Sequence, residues 1–233
     1  NVAIGDNSLK LNTTGTNNVA VGRYVLCSNT TASNNTALGH SSLLSNTTGG
    51  QNTAVGMSSL TTNTTATNNT AHGAYALRYN TTADGNVAVG YVSLYENTTG
   101  GNNSSVGCGA LCSNTTGSNN VAVGFRSLCS NTTANNNTAV GLCALISNTT
   151  GTRNTGVGNK VMKFNTIGVD NTAVGYNALD GNNEGNYNTG IGSNALGVNS
   201  VGSNNVAVGK GALSANTEGT NNVAIGIDAM LSS

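Results

Sequence analysis

Residues 52–68 read NTAVGMSSLTTNTTATN, and this segment is one unit of a 17-residue tandem repeat. Its opening pentapeptide, or a variant such as NVAIG, recurs every 17 residues without insertion or deletion, giving thirteen complete copies and a partial fourteenth. We number the positions of the unit as columns one to seventeen. Column one is always Asn, beginning with Asn1, Asn18 and Asn35, and column five is always Gly, beginning with Gly5, Gly22 and Gly39. So constant a period indicates that every copy meets its neighbours in the same register, as in a solenoid.

The unit is too short for two helices and their turns. Its T/V-A-V stretch has the period of two and the β-branched side chains that are typical of a short strand. The A/S-L of columns eight and nine predicts a second strand, and N-T-T-G/A predicts the return turn. We therefore expect an all-β fold, a parallel β-solenoid or β-roll of about fourteen 17-residue coils with two short strands each. Columns two, four and nine are expected to face the coil interior, and the Ala of column three is expected to face outward.

The Asn columns favour a continuous stack. Identical Asn side chains in columns one and twelve are expected to form amide ladders, in which each rung donates to one neighbour and accepts from the other. Stacked at about 4.8 Å per coil, the repeats would form a rod roughly 65 Å long. We interpret residues 1–233 as a single continuous β-solenoid domain and expect it to be a fragment of a longer chain.

Composition argues against several classes of function. Charged residues make up 7% of the chain and the net charge is zero, so we expect no nucleic-acid partner. No apolar run approaches the roughly 20 residues of a membrane span, so membrane insertion is not expected. No G-x-S-x-G, P-loop or H-E-x-x-H motif occurs, and the acidic residues fall in different columns. We expect neither an enzyme nor a bound metal or cofactor.

The full unit NTAVGYNAL, at residues 171–179, with NTTG beside it in other copies, resembles repeat arrays in tail-fibre and virion-surface proteins of phages and large viruses. NVAIG and NTAVG followed by A-L also resemble the head repeats of trimeric autotransporter adhesins, which form left-handed β-rolls joined as trimers. The resemblance covers the whole chain. It implies a fibre shaft that is extracellular or on a virion surface, and the adhesin repeats imply self-association as a homotrimer. Because no capping segment covers the exposed rungs of the repeat, an end-to-end filament is the alternative.

N-T-T is also an N-glycosylation sequon, and two interpretations of column twelve stay open. One is a glycan-coated stripe, and the other is a structural turn ladder. The column keeps its Asn at Asn165, Asn182, Asn199 and Asn216 although the sequon is lost there, which favours the ladder. Further sequons begin at Asn34, Asn68, Asn102, Asn103 and Asn136. The column-twelve sequons are Asn12, Asn29, Asn46, Asn63, Asn80, Asn97, Asn114, Asn131 and Asn148.

Cysteine and histidine offer the remaining reactive side chains. Cys112 and Cys129 share column ten and are expected to stack on neighbouring coils, within the Cα separation of a disulfide. The alternative is that all five cysteines are small residues tolerated at variable columns. His72 takes column four and is expected to point inward, either neutral and bonded to a carbonyl or in an ion site between chains. His40, in column six, is expected to be exposed.

Three functions are compatible with this pattern. The first is the structural shaft of an extracellular or virion-surface fibre. The second is an adhesin-type module, in which the variable columns six, seven and ten contact a cell-surface or glycan receptor. The third is an ice-binding solenoid, which needs two outward threonines alternating on a flat strand. The adjacent Thr13 and Thr14 would instead point to opposite sides.

Overall fold

The computed structural model describes residues 1–231, and the chain divides into two compact units, Asn1–Asn119 and Asn120–Ser233. Each unit is a parallel β-solenoid, and the described residues contain no helix. The strands of the first unit are β1 (Val2–Ile4), β2 (Val19–Val21), β3 (Thr36–Leu38), β4 (Thr53–Val55), β5 (Thr70–His72), β6 (Val87–Val89) and β7 (Ser104–Val106). Those of the second are β8 (Val121–Val123), β9 (Thr138–Val140), β10 (Thr155–Val157), β11 (Thr172–Val174), β12 (Thr189–Ile191), β13 (Val206–Val208) and β14 (Val223–Ile225).

Within each unit, consecutive strands pair in parallel and in register. Every partner lies 17 residues away, as in the pairing of Ala37 with Ala54 or of Ala207 with Ala224. The predicted register is therefore present in both units. The extent of the solenoid as one domain over residues 1–233 stays a prediction.

Each coil has one strand, not the two that were predicted. Columns seven and nine adopt left-handed backbone conformations, with φ of 53° at Ser58 and 51° at Leu60, so this segment turns and does not extend. Its backbone still bonds to the next coil, since Leu60 N donates to Ala76 O at 3.0 Å and Thr62 N to Arg78 O at 3.2 Å. The A/S-L pair is thus a turn that stacks like a strand.

The strand faces are the reverse of the prediction. Ala54 in column three is completely buried, whereas Thr53 in column two is exposed and Val55 in column four is half-exposed. Leu60 in column nine is completely buried, as expected. The coil is thin, and column three abuts columns eight and nine directly: a Cβ on Gly156 would lie 3.1 Å from Val161 Cγ1. Only a small residue fits there, so the β-branched side chains face solvent.

Column five needs Gly for two reasons. Gly56 has φ of 132°, which L side chains rarely adopt, and a Cβ there would lie 2.6 Å from the backbone C and O of Gly73. The chain turns out of the strand at this point while it touches the next coil. This contact explains why the fifth column is invariant.

Candidate functional site

The Asn of column twelve forms a buried amide ladder. Asn63 Nδ2 donates to Asn46 Oδ1 at 2.8 Å and to Ala66 O of its own coil at 3.1 Å. Its Oδ1 accepts from Asn80 Nδ2 at 3.1 Å, and its side chain is completely buried. Each Asn of this ladder therefore bonds to the coils on both sides, and it also closes the return turn of its own coil.

The Asn of column one bonds mainly to backbone groups, and the expected amide-to-amide bond occurs beside these in the second unit, from Asn171 to Asn154, from Asn205 to Asn188 and from Asn222 to Asn205. Asn18 Nδ2 donates to Ala32 O at 2.8 Å, and its Oδ1 accepts from the backbone N of Asn35 at 3.0 Å. Asn1 Oδ1 accepts from Asn18 N in the same way at 2.8 Å. The side chain thus substitutes for a backbone partner where the strand begins, because the amide can accept and donate at once.

The first Thr of N-T-T also has a structural role that sequence reasoning missed. Thr64 Oγ1 donates to Thr81 O in the next coil at 3.1 Å, and Thr47 Oγ1 donates to Thr64 O at 3.0 Å. The second Thr, such as Thr65, is exposed. The side chains of two of the three sequon residues thus make bonds between coils.

These bonds bear directly on the column-twelve sequons. Asn12 is half-buried, and the other eight predicted acceptors have no exposed surface. In Asn63 both hydrogens of Nδ2 are bonded, and a glycan would replace one of them. The geometry favours the structural interpretation, and glycosylation here would require the unfolded chain. Among the further sequons, Asn103 is buried, and the four in column seventeen are exposed: Asn34, Asn68, Asn102 and Asn136.

Columns two and four form the outward sheet face of each unit. Apart from His72, no ionisable side chain occurs in either column. His72 is itself exposed, so its predicted inward position is wrong, and His40 is exposed as expected. The most exposed apolar members are Val2, Ile4, Val19, Leu38, Val87 and Val106 in the first unit, and Val121, Val157, Val174, Ile191, Val223 and Ile225 in the second.

The cysteines differ in exposure. Cys27, Cys108 and Cys143 are free thiols. Cys112 is half-buried, with its Sγ 3.8 Å from Ser113 Oγ, and Cys129 is buried. These two residues belong to different units, so a disulfide between them stays a prediction.

Four tyrosines and one arginine gather on two adjacent coils of the first unit, a cluster that sequence reasoning missed. We call it the tyrosine patch, and its members are Tyr75, Arg78, Tyr79, Tyr91 and Tyr95. Each lies in a variable column, and no repeat pattern marks it. The signal that could have revealed it is the crowding of four of the chain's seven tyrosines into residues 75–95.

Residues 1–231 contain no group of three metal-binding side chains and no pocket. Nor does the same segment include a helix long and apolar enough to cross a membrane. Comparisons with protein-family models, with curated proteins and with solved structures found no match to this chain.

Proposed function

We propose that the chain is a structural shaft of an extracellular or virion-surface fibre, and that copies associate side by side through the outward sheet face. The observation that carries the proposal is the exposed face of columns two and four, which repeats at every coil with almost no ionisable residue. The proposal assigns the chain no catalytic activity and no cofactor.

A second copy of the chain is the partner that fits this face best. Its side chains repeat with the spacing of parallel strands, about 4.8 Å, so only a surface with the same period meets every rung. Half-exposed Val and Ile gain roughly 25 cal/mol for each Å² that they bury, and the gain accumulates along the coils. We propose a homotrimer as the assembly, and an end-to-end filament is the alternative.

The experiment compares two triple variants of the chain by native mass spectrometry and sedimentation. The face variant carries Val19→Lys, Leu38→Lys and Val87→Lys. The control carries the same charge on exposed threonines of column fourteen: Thr31→Lys, Thr65→Lys and Thr99→Lys. The chain has a mass of 23.1 kDa, so a trimer has 3 × 23.1 = 69.3 kDa.

We expect the unmodified chain and the control to be trimers and the face variant to be a folded monomer, as judged by circular dichroism. Lysines on the sheet face would lose their water and repel one another when two copies associate, which opposes association. The lysines of column fourteen remain exposed to solvent and add no such cost. A folded, monomeric unmodified chain at tens of micromolar would overturn the proposal. Equal dissociation of both variants would also contradict the role of the sheet face.

One observation supports ice binding as a second candidate. Columns two and four both face outward; column two supplies at most one outward Thr per coil, and column four is aliphatic in every coil except at His72. Column two contains two runs of Thr on consecutive coils, Thr36, Thr53 and Thr70 in the first unit and Thr138, Thr155, Thr172 and Thr189 in the second. A face that binds ice must stay free of a partner. Thermal hysteresis from a monomeric chain, abolished in the face variant only, would support ice binding against the shaft.

A further inference from the structure

The tyrosine patch is a cluster of packed aromatic rings on two otherwise repetitive coils. Tyr79 and Tyr95 pack edge to face with ring centroids 5.0 Å apart, and Tyr75 packs against Tyr91 at 6.2 Å and Tyr95 at 6.5 Å. These contacts join two consecutive coils. Because the rings pack against one another, they lose less side-chain entropy when a ligand binds than isolated tyrosines would.

Arg78 lies among these rings. Its Cζ is 5.1 Å from the ring centroid of Tyr75 and 5.3 Å from that of Tyr79, and its Nη1 donates to the Tyr95 hydroxyl at 3.4 Å. A guanidinium has five N–H donors in a fixed plane. Ion pairs join Arg23 to Asp6 and Arg153 to Asp170, whereas Arg78 makes none within the described residues 1–231. The guanidinium therefore contacts the rings and makes no direct ion pair with a carboxylate.

The patch combines exposed ring surface with hydrogen-bonding groups. Tyr91 is 55% exposed and Tyr79 is 39% exposed, so apolar ring area and hydroxyls both face solvent. The neighbouring positions on the flanking coils include the uncharged Met57 and Ser58 on one side and Gly109 on the other, and the exposed Glu96 lies near Tyr79 on the second coil of the patch. A ring cluster that holds the Arg78 guanidinium suits a ligand that has apolar faces, polar edges and a negative charge placed at Arg78 and away from Glu96.

We propose that the tyrosine patch binds a carboxylated polysaccharide. The C–H faces of its sugar rings would lie on Tyr91 and Tyr79, and its carboxylate would accept hydrogen bonds from Arg78, which favours a planar, two-pronged contact with such a group. The patch is an open surface without a pocket, so an extended polymer fits it better than a small molecule does. It also covers only two coils, less than a stable contact with a folded protein needs. This proposal is independent of the shaft proposal.

The test measures binding of the full chain to an immobilised array of uronic-acid and sialic-acid oligosaccharides and of their neutral counterparts. Tyr91→Ala removes the most exposed ring of the patch. Tyr176→Ala is the matched control, because Tyr176 lies in the same column, is 51% exposed and lies in the other unit. Arg78→Gln removes the charge and keeps a hydrogen-bonding side chain.

We expect the unmodified chain to prefer the carboxylated sugars. Tyr91→Ala should weaken this binding about tenfold or more, and Tyr176→Ala should change it by less than about twofold. Arg78→Gln should abolish the preference for carboxylated over neutral sugars. All variants should retain the circular dichroism of the unmodified chain, because the altered side chains lie outside the core.

Three results would overturn the proposal. The first is no binding to any sugar of the array, and the second is equal loss in Tyr91→Ala and Tyr176→Ala. In the third, Tyr91→Ala changes the oligomer mass and leaves sugar binding unchanged, which would identify the patch as a contact between copies. The oligomer mass tests the sheet face and the array tests the patch, so failure of one proposal is distinguishable from failure of the other.

Discussion

Asn63 illustrates what a single ladder residue contributes. Replacement by Ala removes the two bonds that its Nδ2 donates and the one that its Oδ1 accepts, all inside the coil. Asn46 Oδ1 then loses the donor from the next coil. We expect Asn63→Ala to lower the free energy of unfolding by about 3 kcal/mol, since buried polar groups left unpaired cost more than an average hydrogen bond contributes. Urea unfolding followed by circular dichroism measures the change.

The control is Thr65→Ala, two residues further along the same turn, where the side chain is exposed. It should change the free energy of unfolding by no more than about 0.5 kcal/mol. A loss below about 1 kcal/mol for Asn63→Ala would show that the ladder adds little stability.

Asp180 predicts a pH dependence of stability. Burial raises the pKa of its carboxyl, while Lys163 and Lys160 partly lower it, and its Oδ1 is buried without a hydrogen-bond partner in the structure as described. The folded state therefore binds this proton more tightly than the unfolded chain, whose Asp pKa is about 3.9. Ionised Asp180 destabilises the fold at neutral pH, and stability is gained as pH falls through the raised pKa.

We expect Asp180→Asn to raise the melting temperature at pH 7, with a difference that shrinks as pH falls toward about 4. Asp170→Asn should do the opposite at pH 7, because the hydrogen bond from Arg153 lowers the pKa of Asp170 and stabilises its ionised form in the fold. Thermal unfolding of the three proteins between pH 4 and 7 checks both signs. An Asp180→Asn variant that melts at or below the unmodified chain at pH 7 would contradict the argument.

Gly56 and Gly85 both have positive φ, but only at Gly56 would a Cβ collide with the backbone of the next coil. Substituting each glycine therefore distinguishes the cost of that collision from the cost of the backbone conformation. Gly56→Asn introduces a Cβ 2.6 Å from the backbone of Gly73, and we expect it to cost more than about 3 kcal/mol or to prevent folding. Gly85→Asn is the same change in column seventeen, where φ is 70° and the nearest atom is the movable Oδ1 of Asn102. Most other coils have Asn in that column, as at Asn68 with φ of 59°, so we expect a change within about 1 kcal/mol. Equal losses in thermal unfolding would refute the role of the Gly–Gly contact.

Among the elements, the turn of columns six to eleven contains avoidable strain. Val92 in column seven has φ of 49°, a conformation that costs a β-branched residue about 1–2 kcal/mol. Val92→Asn should therefore stabilise the chain by about 1 kcal/mol. The reciprocal change, Ser58→Val at φ of 53°, should destabilise it by a similar amount. Urea unfolding measures the change in the free energy of unfolding for each variant. If both variants gain stability, or if both lose it, side-chain packing outweighs backbone strain in this turn.

The elements also show how far the sequence predicts the fold. The period of 17 predicts the parallel register, and T/V-A-V predicts the strand. Alternation alone does not say which side of a strand is inside, and apolar β-branched residues suggested the wrong side. Ala54 is buried because the thin coil leaves space only for a small side chain between column three and columns eight and nine. Leu60 itself adopts a left-handed conformation that Leu seldom takes, so nothing in its identity signals the turn.

For the molecule as a whole, the repeat explains the ladders and sheet faces, but not the tyrosine patch. Tyr79 and Tyr95 occupy different columns and meet only because the coils stack. The same stacking buries the sequon Asn side chains, a fact that the N-T-T motif does not contain. Features set by the period are therefore predictable from sequence, and features set by the placement of particular side chains on neighbouring coils require the structure.

The same reasoning predicts which deletions the first unit tolerates. Removing residues 52–68 joins Gln51 to Asn69, so column one still follows column seventeen and every remaining rung keeps its partner type. We expect this variant to fold with a lower free energy of unfolding, because one coil and its contacts are lost. The free energy of unfolding should also fall less steeply with urea concentration, because less surface is exposed on unfolding. Removing only residues 52–60 joins Gln51 to Thr61 and places mismatched columns on top of one another.

We expect the shorter deletion to unfold or aggregate although it removes fewer residues, because the Asn and Leu ladders would break at the junction. Circular dichroism and urea unfolding of both variants distinguish the outcomes. If both deletions fold with similar stability, the register of 17 does not control the fold. If only the 17-residue deletion folds, the coil is the unit by which this chain can be shortened.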